Sequence, residues 1–190
     1  MAATLTMKRT CLLLLLALAP LVAKALDLTP EPTFRDLEGV KIPILLFSDG
    51  GKKITLQPPA KWRVSGGGAS LSLLPPDAQD AVMLLRILPR KPPAPEVTED
   101  LDKWCRAQLP KDAAEPKLES EIENGFTLGP LGSREFTYSY AALGRRFTTS
   151  VAVVDWNERE RLAVIVTARA ADFAATHETA MRSIFTWAQD

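Results

Sequence analysis

The sequence predicts an α+β fold, an antiparallel β-sheet with helices packed on it, and the stretch between Arg134 and Trp187 carries that expectation. Phe136, Tyr138 and Tyr140 alternate with Glu135, Thr137 and Ser139, which gives a strand with one aromatic and one polar face. Residues 146–156 alternate again, with Phe147, Thr149, Val151 and Val153 sharing a face, so Gly144 marks a hairpin turn. Residues 161–169 are apolar on both sides and β-branched, as in a strand covered on both faces. From an N-cap at Asp172, the residues Phe173, His177, Ala180, Ile184 and Trp187 recur at steps of three and four, widened by Met181 and Phe185. That is an amphipathic helix whose apolar stripe packs on the sheet.

Taken from its start, the chain opens with a targeting segment over residues 1–25. Lys8 and Arg9 are basic, residues 11–22 are apolar, and Ala23-Lys24-Ala25 supplies an A-x-A cleavage site. A run this short does not span a bilayer, which takes roughly 17 to 25 residues. Cys11 opens the apolar run and does not follow it, so it is wrongly placed for lipid attachment. Export of a soluble chain, periplasmic or secreted, is the expectation. Of the 190 residues, 165 remain after cleavage, enough for one domain with a proper core. Lys8, Arg9 and Lys24 leave with the leader, so 20 basic residues face 23 acidic ones, a formal charge of −3. That balance argues against nucleic-acid binding. Only Cys105 survives cleavage, which excludes an intramolecular disulfide.

Residues 26–38, with Pro30 and Pro32, show no period and are expected as an extended lead-in, ahead of a single globular domain over residues 39–190. Val40, Ile42, Ile44 and Leu46 alternate as a strand, and Pro43 places it at a sheet edge. Ser48-Asp49-Gly50-Gly51 is a hairpin signal before a short strand over residues 53–57. Gly66-Gly67-Gly68 turns between strands at residues 62–65 and 69–74, since a phosphate cradle would need a helix start after it. Residues 81–88 form another apolar strand, followed by a stiff proline-rich link over residues 91–95. Thr98 caps a middle helix with Leu101, Trp104, Cys105 and Leu109 on its stripe, stopped by Pro110. Residues 117–123 then form a strand that Asn124-Gly125 turns back into residues 126–128.

Chemistry has few residues to work with. His177 is the only histidine, and a Ser-His-Asp device or a histidine-containing metal site would have to use it. Its place on the helix stripe reads first as packing, as does that of Cys105 on the middle helix. Glu115, Glu119, Glu121 and Glu123 form a solvated strand face. No metal ligand set, cofactor motif or catalytic constellation is legible. Trp156, at a hairpin tip beside Asp155 and Asn157, is the candidate exposed aromatic for binding.

The order of elements, with the strand from Ile54 running into Pro59-Ala60-Lys61-Trp62, the middle helix, the Gly-x-x-Gly-x-x-Glu stretch from Gly129 to Glu135 and the closing Ser183-Ile184-Phe185, resembles the PsbP-like superfamily. That group takes in photosystem II PsbP proteins, bacterial DcrB-like envelope proteins and a nuclear Ran-binding member. The resemblance implies an α/β/α sandwich around an antiparallel sheet, in a module that binds proteins. Two function classes follow. The first is an exported, non-catalytic module binding a protein partner or small ligand in the bacterial cell envelope. The alternative is an envelope enzyme, hydrolase-like, using His177 or Cys105.

Overall fold

Strand-forming sequence dominates this chain, and in the structure, a computed structural model, 62% of the described residues lie in strands and 12% in helices. The structure describes residues 25–77, 80–90 and 100–189. The expected leader over residues 1–25, but for Ala25, the proline-rich link over residues 91–95 and the Thr98 cap lie outside the described residues.

Two antiparallel sheets make up the architecture. The smaller contains β1 (Leu26–Leu37), β2 (Val40–Asp49), β3 (Lys52–Leu56) and the two-residue β11 (Ala188–Gln189), in the order β1-β2-β3-β11. The larger contains β4 (Arg63–Gly67), β5 (Ser70–Leu74), β6 (Val82–Pro89), β7 (Ala114–Leu128), β8 (Leu131–Ala142), β9 (Arg145–Asp155) and β10 (Glu160–Arg169), in the order β4-β5-β6-β10-β9-β8-β7. The described helices are α1 (Leu101–Arg106) and α2 (Phe173–Ile184).

Alternation along the central strands splits the core in two, because successive side chains leave opposite faces. On one face of the larger sheet, Met83, Ala152, Val154, Leu162, Val164 and Val166 meet Leu28, Leu45, Phe47, Ile54 and Leu56 of the smaller sheet, together with Ala180 and Ile184 of α2. On the other face, Phe136, Tyr138, Val151, Val153, Ala163 and Ile165 are covered by Cys105 with Leu101 and Trp104 of α1. The expected α/β/α sandwich, an α+β sheet clad in helices, is therefore corrected. A second sheet occupies most of the place assigned to a helical layer, and α1 spans six residues only.

Several local expectations change with it. The extended lead-in expected over residues 26–38 is part of the smaller sheet: Leu26–Leu37 is a strand whose Leu26 and Leu28 are buried, and a bulge between Asp27 and Glu31 accommodates Pro30. β2 lies between β1 and β3, but β3 pairs only with residues 45–49, so at Pro43 the strand has β1 alone as neighbour. Asn124-Gly125 does not close a hairpin. Asn124 takes a positive φ of 54° where the register slips inside β7, and the turn falls at Gly129-Pro130. Some bulges place a residue in the same left-handed region that a tight hairpin turn uses, as Asn124 does here, so the dipeptide serves either. Asp100 caps α1, its side chain accepting from the Lys103 N–H.

Candidate functional site

His177, the residue through which any hydrolytic chemistry would pass, projects from α2 onto β8. Its Nε2 lies 2.7 Å from Glu135 Oε1, and the Ser150 hydroxyl donates to the same oxygen at 2.5 Å. Glu135 is 5% exposed. Burial would raise its carboxyl, but the hydrogen bonds from His177 and Ser150 outweigh that and hold it below the usual glutamate value. The His177 ring also stacks on Phe173, with centroids 5.2 Å apart. A Ser-His-acid device needs the hydroxyl on the imidazole and the acid behind it. Here Ser150 and His177 both address the carboxylate, and Ser150 is buried. The arrangement holds a helix to a sheet and presents no nucleophile.

Sequence reasoning placed Glu135 on the polar face of its strand and missed this cluster. One signal could have found it: the doubly apolar β10 requires both faces of its sheet to be covered, so a carboxylate two strands away on either face needs partners.

Cys105 lies on the opposite face of the same sheet, within the second cluster of buried side chains. Burial, with the nearby Asp102 charge, pushes its thiol up to about 12, far from a thiolate at neutral pH. Its neighbour Asp102 accepts the Tyr138 hydroxyl at 2.8 Å and pairs with Arg106. The structure thus separates His177 from Cys105 by the thickness of the sheet. Among the described residues, no group of three or more His, Cys, Asp or Glu is placed to hold a metal ion.

Trp156 is half-buried, edge-on to Trp187 at 5.9 Å, and Trp187 stacks on Phe47 at 5.8 Å. It belongs to the wall of the main core and is not the free aromatic expected. Exposed large apolar side chains occur singly at Ile122, Leu143 and Phe185, and three more lie close together in sequence on the hairpin of β1 and β2. Phe34, Leu37 and Val40 are 65%, 57% and 62% exposed. This part of the hairpin, from about residue 33 to 43, continues past β3 as a two-stranded arm. Glu38 and Gly39, with φ of 53° and 84°, form its two-residue turn, and the Asp36 carboxylate accepts from the Gly39 N–H. A two-residue turn makes Leu37 and Val40 the closing hydrogen-bonded pair, so the pairs Phe34↔Pro43 and Pro32↔Leu45 fall on non-hydrogen-bonded sites. Pro32 and Pro43 therefore each remove a donor from an outer edge of the arm.

At the start of α2 a cavity is lined by Asp77, Asp80, Arg169, Asp172 and Thr176. Asp80 takes both Arg169 and Arg145, and the Arg169 hydrogen bond is the main cause of its lowered carboxyl. Glu119 and Glu121 of the acidic strand face are exposed and tied to Lys117 and Arg134.

No family model matches the chain, and no curated protein does. The fold is similar to two solved structures. One is PA94 of Pseudomonas aeruginosa, a protein of unknown function, at 14% identity and a TM-score of 0.43, covering 82% of this chain and 94% of that one. The other is LpqN of Mycobacterium tuberculosis, involved in cell envelope biogenesis, at 15% identity and a TM-score of 0.45, covering 85% and 91%. Likenesses this distant do not extend to function. Neither is described as PsbP-like. Among the described residues, no helix is long and apolar enough to cross a membrane.

Proposed function

We propose that this chain is an exported, non-catalytic module of the cell envelope that binds a protein partner, and that the β1–β2 arm is its contact surface. One observation carries the reading. Three apolar side chains within seven residues stand more than half exposed on the part of the hairpin that runs past β3. Isolated exposed apolar residues are ordinary, but a cluster on one projecting element marks an interaction site. With prolines at both edges, the arm offers side chains and not a free ladder, so the partner grips its faces. The leader pattern in residues 1–25 supports export.

The enzyme alternative rests on the contact of His177 with Glu135. It lacks a hydroxyl or thiol on the imidazole, and Cys105 is buried on the other face of the sheet.

The test uses tagged protein in pull-downs from its own envelope, comparing the unaltered chain with Leu37→Asp/Val40→Asp and with His177→Gln. The expected result is loss of specific capture in the arm variant with an unchanged melting temperature. Equal capture by both would remove the arm from the function. A His177→Gln protein that folds and captures, yet fails to complement a deletion strain, would favour the enzyme.

A further inference from the structure

The two halves of α2 are fastened differently. Its C-terminal half buries Ala180, Met181, Ser183 and Ile184, and the Ser183 hydroxyl donates to the Gln57 carbonyl. Its N-terminal half is more lightly fastened, with Thr176 its one buried side chain. Asp172 makes no side-chain capping bond, Ala174 and Ala175 are exposed, and Phe173 is half-buried. The first two turns are held by Thr176, by Phe173 packing at the margin of the core, and by one polar side-chain tie to the sheet, the bond between His177 and Glu135.

We propose that Glu135 and His177 form an acid-released latch that holds the N-terminal half of α2 on the seven-stranded sheet. The groups facing Glu135 are few. α2 presents His177, β9 presents Ser150 and Ala152, and β7 places Ile122 opposite it and Gly125 beside Oε2. The nearest acids of β7, Glu121 and Glu123, pair with Arg134, whose side chain lies over Phe136 on the other face. His177 is thus the one titratable group that stabilises the buried carboxylate directly.

The sign follows from the geometry. The hydrogen bonds and the His177 charge favour the carboxylate in the folded chain, so its folded pKa is depressed. The latch is fully present above the unfolded value and is lost as pH falls through the folded one. Protonation removes the charge-assisted bond and leaves His177 without an anionic partner. The uncapped end of α2 then opens while its C-terminal half stays anchored, a local opening and not global unfolding.

Hydrogen exchange of the full chain, corrected for intrinsic rates, tests this. Amides of residues 173–179 are compared with those of residues 162–166 in β10, from about pH 7 to about pH 3.5. Protection of residues 173–179 should hold between about pH 7 and pH 5 and fall several-fold relative to β10 as pH drops below about 4.5. In Glu135→Gln it should be low and flat with pH. His177→Ala, which keeps Glu135 but removes its partner, should also start low, while Ser150→Ala should retain most of the pH response. Loss of protection in α2 and β10 in step, or a Glu135→Gln protein with an unaltered pH response, would overturn the latch.

Discussion

Ile184 and Phe185 are adjacent in sequence and opposite in environment. Ile184 is fully buried in the core between the sheets, whereas Phe185 is 65% exposed. A helical stripe drawn through both is too wide by one residue, because each step around the helix turns about 100°. Ile184→Ala should therefore cost about 2 to 5 kcal/mol, and Phe185→Ala should stay within about 0.5 kcal/mol. Urea denaturation of the two variants checks this, and equal midpoints would refute the placement. Cys105 gives a second residue-scale expectation. With its thiol buried and its ionisation pushed up to about 12, it should resist alkylation at neutral pH in the folded chain and react once denaturant exposes it. Thiol labelling monitored by mass would show the contrast.

At the scale of elements, the glycine triplet and the arm show how tight turns are made. Gly66 has φ of +97°, and a Cβ there would meet the Ser70 carbonyl oxygen at 2.5 Å, so the position admits no side chain. Gly66→Ala should lower stability by about 1 to 3 kcal/mol in a thermal melt. In contrast, Phe34→Ser and Leu37→Ser should leave the melt within about 0.5 kcal/mol of the unaltered protein, since neither side chain enters the core. The strands β8 and β9 and helix α2 were legible because their apolar residues keep one period, and β10 because it is an unbroken β-branched apolar run. β1 was not. Its prolines and acids give no alternation, and it is a strand because its first residues reach the core while the rest pair with β2. Such tertiary support overrides local pattern. In β2 the alternating row Val40, Ile42, Ile44 and Leu46 is legible as a strand, yet the side it turns to the core carries Leu45 and Phe47. Pattern alone cannot say which face finds a partner sheet.

For the molecule as a whole, charge sets limits at both ends of the pH scale. Asp27, Asp80, Asp102, Glu119 and Glu135 all have carboxyls held below their ordinary values by hydrogen bonds or arginine partners. As pH falls, the unfolded chain takes up protons first, so stability is lost below about pH 4.5. At the other end, the Cys105 thiol ionises near 9 when exposed and about 12 when folded, so stability also declines as pH rises above about 9. Urea midpoints across pH should form a plateau with these two shoulders, and Cys105→Ser should remove the thiol's share of the alkaline one. The candidate site was less legible than the fold. His177 was singled out by being unique, but its partner Glu135 looked like any outward acid until the second face of the sheet was seen to be covered. A contact between residues 42 positions apart leaves no local signature.

The smaller sheet also carries an order of events. Its last rung pairs Thr55 with Ala188 and Ile54 with Gln189. A chain that emerges from its amino terminus, at a ribosome or through a translocation channel, can form the β1–β2–β3 meander early, from local contacts that close quickly. It cannot add the β3–β11 rung, or set Trp187 against Phe47, until the segment from Trp187 to Gln189, some 133 positions after β3, is out. Until the larger sheet and α2 have followed, the apolar inner face of that early meander lacks its cover, and that interval is when a chaperone has most to shield.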